Sequence, residues 1–354
     1  MYGDFRFGRP YWFCRDCGHS EYPGDKRYGI DKLDHRITKA VELEAVYFAQ
    51  NQMSFDKAAE VLKRVYGLDI NRETIRELAE TAGTQVFVHD TERAEHTMEN
   101  IQNIGEDERK KGTVYVMMDG AAVNTRVEDE NGSTWRENKT VIAFSSREMI
   151  QRKDGGNIIT HKEIAPLIGS SEDFKKHVLD VAVRAGYGLY ENTVVIADGA
   201  TWIRNMCEEI FPDAIQILDL YHLKENIHTF SKHIHGQDLV KAREWAEMII
   251  GKVEKGLPVE EILSCIPKVE NLPAGIPNIK IYIENNSEKI NYPSYREQGF
   301  FVGSGAIESS NKTIVQQRLK RAGMRWSVAG AQALLSLRAK EESDRWREVE
   351  QICA

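Results

Sequence analysis

A mixed α/β fold preceded by a helical region is what this sequence predicts, and three observations predict it. Residues 194–197 (Val-Val-Ile-Ala) and 214–218 are short apolar runs suited to buried strands. Between them lies an amphipathic stretch with Ile203, Cys207 and Ile210 at helical spacing, stopped near Pro212. Each run also ends on a carboxylate, Asp198 for the first and Asp219 for the second, with His222 three residues on. In a parallel α/β sheet the carboxyl ends of the strands are where ligands sit. A carboxylate there implies a cation, a proton or a cationic side chain beside it.

The chain has 354 residues, long enough for two or more domains. No run of about 18 apolar residues occurs, so no transmembrane helix and no membrane partner are expected. The N-terminal run is too short and too charged for a signal peptide, which points to the cytoplasm. The five cysteines are odd in number and scattered, which argues against a disulfide scaffold. The net charge of −8 disfavours a nucleic-acid binder, but its distribution does not. Residues 311–340 carry seven bases (Lys312, Arg318, Lys320, Arg321, Arg325, Arg338, Lys340) and no acid. That stretch is either a solvated basic helix face or a nucleic-acid contact.

From the N-terminus, residues 1–30 form an aromatic and basic arm around Cys14 and Cys17. A C-x-x-C pair followed by Gly18 is half of a zinc ribbon, because two thiolates at that spacing can share one tetrahedral ion. His19 is a third candidate ligand, and a metal-free remnant is the other reading. Residues 31–83 are helical. A helix is expected over 33–51, a second over 55–66 capped by Ser54 and ended by Gly67, and a third over 72–82 capped by Asn71. Two helices around a short glycine-containing turn fit a helix-turn-helix, with Arg72 and Arg76 facing DNA. A plain helical bundle fits as well.

Residues 84–112 are expected as a charged helical linker. Strands then follow at 113–118 and 139–145, with 123–127 as a hairpin partner between them. A helix at 172–188 leads to the strand at 194–197. Residues 223–295 turn polar and helical, punctuated by Pro267, Pro273 and Pro277, and form a helical insertion. A glycine turn at 303–305 then opens a helix carrying Glu308. It breaks at 323–327, and a last amphipathic helix covers 329–338. Residues 346–354 are a tail.

Three acids stand out. Asp119 ends the first strand, Asp198 ends a later one, and Glu308 lies in the first turn of its helix. Taken singly, Asp-Gly ends many strands and an acid suits any helix N-terminus. Together they are a donor set for hard divalent cations. Two such ions about 3.5–4 Å apart clamp the attacking and leaving oxygens of a phosphodiester.

VVIADGATWI, LDLYHLKENI and GSGAIESSNKTIVQQRLKRAGMRWS together resemble the DDE transposases of bacterial insertion sequences, in the group related to Mutator elements. The Asp-x-x-His step at Asp219 and His222 matches a signature of that group, and the resemblance covers roughly residues 110–345. It implies a ribonuclease-H-like catalytic domain over 113–222 and 296–345, split by the 223–295 insertion. It implies two Mg²⁺ or Mn²⁺ ions held by Asp119, Asp198 and Glu308, with Asp219 and His222 in support. Its expected activity is strand cleavage at element ends and strand transfer to target DNA. The rivals are an inactive DNA-binding derivative and a structure-specific nuclease of the same fold. Double-stranded DNA in the nucleoid and a homodimer or larger assembly are the implied partners. Lys312, Arg318, Lys320, Arg321 and Arg325 are expected on phosphates. Trp326 is expected either on an unpaired base or in the core.

Overall fold

The computed structural model describes residues 8–33, 35, 37–105, 108–152 and 157–353. Parts of the arm and linker expected from sequence, residues 1–7 and 106–107, therefore lie outside the described residues. The chain divides into two compact units. One comprises Met1–Thr91, Ala122–Arg136 and Thr313–Ala354, the other Glu92–Ala121 and Glu137–Lys312.

In the first unit two helices open on side-chain caps. Ser54 accepts from the Lys57 amide at 3.1 Å to open the helix Phe55–Tyr66, which closes on Gly67 at φ 72°. Asn71 Oδ1 accepts from the Thr74 amide at 2.9 Å to open the next helix. That helix does not stop at residue 82. It runs 28 residues, Arg72–Glu99, so most of the expected linker is one continuous helix. Gly83 is not a breaker but a close approach. A Cβ there would stand 2.3 Å from the Ala333 carbonyl oxygen on the helix Val328–Glu342.

Val328–Glu342 is not amphipathic as expected. Every residue from Gly330 to Lys340 is buried. Its bases survive burial by being satisfied. Lys340 Nζ reaches Asp90 at 2.7 Å and Glu348 at 2.5 Å, while Arg338 donates to the Gln50 carbonyl at 2.7 Å and the Ile314 carbonyl at 3.0 Å. The expected tail is also a helix, Trp346–Ile352. Near the N-terminus, Trp12–Phe13 pairs antiparallel with Ser20–Glu21 around a turn held by Gly18, whose φ is 71°.

The second unit is built on a mixed sheet of five strands. They are β1 (Lys110–Asn124), β2 (Trp135–Ser145), β3 (Glu163–Leu167), β4 (Tyr190–Ala197) and β5 (Ile215–Leu218), in the spatial order β3-β2-β1-β4-β5. The outer ends of β1 and β2 pass into the first unit. β4 is parallel to β1, β5 is parallel to β4, and β3 is antiparallel to β2. Unbroken buried runs (Val114 to Met118, Val141 to Phe144, Val194 to Ile196) give the sheet two covered faces.

Two strand expectations need correction. β1 continues through Asp119 and Gly120 to Asn124, so residues 123–124 are its extension rather than a hairpin partner. The third strand is β3, at the sheet edge, where Pro166 is tolerated because an edge strand leaves one side unpaired.

Helices Ser171–Arg184 and Thr201–Ile210 connect β3 to β4 and β4 to β5. The expected insertion is helical, beginning at Leu220–His235, which packs on Leu239–Glu254 with the Phe230 ring 5.8 Å from that of Trp245. Beyond it, the helix Gly305–Asn311 passes into a π-helical turn, Lys312–Gln316, and a last short turn, Gln317–Leu319.

Candidate functional site

The sheet register sets the first two acids side by side. Met117 of β1 pairs with Ile196 of β4, and Asp119 and Asp198 each follow two residues later on these parallel strands. Asp119 is half-buried. Its Oδ1 accepts from the Gly120 amide and its Oδ2 from Asn311 Nδ2, each at 2.7 Å. Burial raises its carboxyl above the ordinary aspartate value and the charge of Asp198 adds to this, while the bonds from Asn311 and Gly120 and the nearby His222 act in the other direction.

Asp198 is set by a tight turn. The Ala200 amide donates to its Oδ1 at 2.9 Å, and the Tyr282 hydroxyl donates to its backbone carbonyl at 2.6 Å. Gly199 has φ 84°, and a Cβ there would stand 2.9 Å from Leu218 and 3.0 Å from Asn286, so only glycine suits the turn.

Asp219 follows β5 and is fully buried. Its Oδ1 accepts from the Tyr221 amide at 3.0 Å, capping the helix Leu220–His235, and from the Ser304 amide at 3.1 Å. His222 Nε2 lies 3.6 Å from its Oδ2. The Leu220 amide donates to the Val302 carbonyl at 3.0 Å. Asp219 therefore pins the 302–304 loop to the sheet end. That loop in turn holds Glu308, because Ser304 Oγ donates to Glu308 Oε1 at 2.9 Å.

Glu308 is exposed, and Asn311 lies three residues on in the same helix, on the same face. The helix of the third acid thus reaches Asp119 through Asn311 rather than through Glu308. Among the described residues no three His, Cys, Asp or Glu side chains form a metal-holding group. Asn311 and Ser304 were not expected as site residues. The spacing of Asn311 from Glu308 was the available signal for the first, and Ser304 had none beyond its place in the glycine turn.

The expected DNA contacts divide. Lys312, Lys320, Arg321 and Arg325 are exposed. Arg72 is exposed and pairs with Asp56 at 3.5 Å, and Arg76 binds Glu73 at 2.9 Å and Glu80 at 2.7 Å. Arg318 and Trp326 are not surface groups. Arg318 is 1% and Trp326 7% exposed, and the indole N–H donates to the Leu319 carbonyl at 3.1 Å. Trp326 is mostly buried, and what it leaves open lines a cavity together with Arg318. Cys14 and Cys17 are exposed free thiols. Backbone and side-chain hydrogen bonds from Cys17, with a backbone bond from Asp16, hold the Cys14 thiol below its usual range, which suits a zinc knuckle. No complete ligand set accompanies the pair among the described residues.

Among the described residues no helix is long and apolar enough to cross a membrane. No curated protein matches the chain. The model of one family, described as an uncharacterised protein family (UPF0236), matches residues 1–352, and the chain belongs to that family.

Proposed function

We propose that this chain is a DDE-type transposase that cleaves DNA strands at the ends of its element and transfers them to target DNA. The observation that carries the reading is the placement of Asp119 and Asp198 beyond paired positions of neighbouring parallel strands, with Asn311 of the Glu308 helix hydrogen-bonded to Asp119. The strand order β3-β2-β1-β4-β5, with β1, β4 and β5 parallel, supports a ribonuclease-H-like catalytic unit. The helices that follow β5 support the expected insertion.

The donor chemistry fits a hard divalent cation. Burial, with the charge of Asp198 adding to it, raises the cost of ionising Asp119, and a cation beside its carboxylate would relieve it. Asp119 and Asp198 would hold Mg²⁺ or Mn²⁺, with Glu308 as third ligand in exchange for its Ser304 bond. When bound, the metal would supply charge neutralisation at the phosphodiester. Asn311 orients the Asp119 carboxylate. Asp219 fixes the loop that carries Glu308, and His222 stands beside Asp219 at the edge of the site.

The test is cleavage of a plasmid carrying the coding region and its flanks, with Mg²⁺ and with excess chelator. Wild type is expected to cut only with metal and to join a supplied 3′-hydroxyl end, and Asp198→Ala to do neither. Cutting by Asp198→Ala at the wild-type rate would refute the assignment. The Ser304–Glu308 bond favours one second reading, a DNA-binding protein without cleavage activity, and binding without cutting in the same assay supports it.

Asn311→Ala gives a finer prediction. A hydrogen bond to a charged group is worth about 1.5–3 kcal/mol, and each 1.4 kcal/mol is about a decade in rate. Cleavage should therefore fall about 10- to 100-fold. Without this bond the Asp119 carboxyl should titrate still higher, which NMR titration of the chelated protein can measure.

A further inference from the structure

The first unit holds a cavity of about 350 Å³ unrelated to the acidic site. Its wall combines Arg72 and Arg76 from the start of the long helix, Arg126 from the segment between β1 and β2, and Arg325 from the 323–327 loop. Arg318 lines it from beneath. That guanidinium is stacked between Phe55, 4.6 Å from the ring centre, and Trp326, 5.1 Å away. Its Nε donates to the Ala49 carbonyl at 3.1 Å, but its Nη1 and Nη2 are buried without a hydrogen-bond partner.

The charges around Arg318 do not compensate it. Burial lowers its pKa to about 10, and Arg338 and Arg321 lower it in the same direction, so it stays a cation at neutral pH among other cations. A buried charge with idle donors is costly unless a counter-charge completes it. The three acids of the wall are taken up by its own Arg72 and Arg76. Asp56 lies 3.5 Å from Arg72, and Glu73 and Glu80 bind Arg76 at 2.9 and 2.7 Å. Arg126 and Arg325 have no carboxylate within ion-pair distance among the described residues. The Arg126 side chain donates instead to the Arg325 carbonyl at 3.3 Å, which holds the two residues together.

We propose that this cavity is a phosphate site that takes a backbone phosphate of duplex DNA, engaged directly by Arg126 and Arg325 and supported from below by Arg318. The identity of the anion rests on the DNA-binding part of the proposed function, but not on strand cleavage. Guanidinium groups bind phosphate oxygens in pairs, and a fixed cation in a water-poor wall acts more strongly than one in solvent.

Two measurements on the full chain test this, both in chelator. The first is fluorescence anisotropy with a random-sequence duplex over a salt series. Arg126→Ala/Arg325→Ala changes only exposed side chains, so it should fold. It is expected to lose at least about tenfold in affinity and to lower the salt slope by about 2. The second is thermal denaturation, in which inorganic phosphate should raise the melting temperature of wild type and not of the double variant. Unchanged affinity and slope in the double variant would overturn the proposal, as would a wild type that phosphate does not stabilise. Phosphate stabilisation without any duplex binding would overturn the DNA assignment. A wild type that binds with the expected dependence but never cuts DNA leaves this site standing and removes the catalytic reading instead.

Discussion

Asp119→Asn is expected to reduce metal-dependent strand cleavage by a factor of about 10²–10³ or more, while making the protein harder to unfold in chelator at neutral pH. The activity loss follows from removing a charged oxygen ligand from the sheet end. The stability gain follows from the environment of the carboxylate. Burial and the charge of Asp198 raise the Asp119 carboxyl, so the folded state holds this proton to higher pH than the unfolded chain does. Its contribution to stability is therefore present below the ordinary aspartate value of about 3.9 and is lost as the pH rises from there through the raised folded value. Asparagine does not titrate; its one side-chain oxygen can keep the Gly120 amide, and its NH2 can donate to the otherwise unpartnered Asn311 Oδ1 once the Asn311 amide flips. The variant should melt higher than wild type at pH 7, and the difference should shrink as the pH is lowered through that window. Thermal denaturation at neutral and acid pH checks this. Adding Mg²⁺ should narrow the difference at pH 7, because only wild type regains its counter-charge. A variant that melts lower than wild type in chelator at pH 7 would contradict the burial argument.

Gly83→Ala should destabilise the first unit, by about 1–3 kcal/mol as overpacking does. Glycine in a helix interior ordinarily costs roughly 0.5–1 kcal/mol relative to alanine, so the usual expectation is a gain. Here the added methyl group would stand 2.3 Å from a backbone oxygen and 2.6 Å from the carbonyl carbon of Ala333, within the buried stretch Gly330–Lys340 of its helix. Backbone cannot swing aside as the end of a side chain can. Gly251→Ala is the matched control. It lies in the helix Leu239–Glu254 with nothing within 4 Å of the added atom, and it should raise stability. Urea denaturation of the two variants beside wild type measures both signs.

These two glycines illustrate which parts of the molecule can be read from sequence. Caps are local, so Ser54, Gly67 and Asn71 were legible from a few neighbouring residues. Asp198 was legible as a strand end for a similar reason, since an apolar β-branched run followed by Asp-Gly carries its own geometry, whereas β1 runs on through Asp119. The helix expected to stop at residue 82 runs on through Gly83, whose close partner Ala333 is 250 positions away in the chain. The strand expected to end on Asp119 continues to Asn124, passing Gly120, where a Cβ would stand 2.8 Å from Glu137 Oε1. The basic stretch at 311–340 misled for another reason. Residue type states a charge but not its exposure, and Arg318, Arg338 and Lys340 are held inside by carbonyls, rings or acids. Asn311 was overlooked because an uncharged amide attracts no attention until a carboxylate is seen 2.7 Å away.

The π-helical turn at Lys312–Gln316 has a consequence for how this segment tolerates change. A π turn accommodates one residue more than an α turn does, so the angular phase of the residues before it is offset from that of the residues after it. Upstream, Asn311 donates to Asp119, and downstream, Arg318 and Leu319 are buried. Excising a single residue from the wide turn would restore an ordinary spiral and rotate one of these groups away from its partners by about 100°, the angle per residue at 3.6 residues per turn. Deletions here should therefore be far more damaging than substitutions at the exposed Gln316.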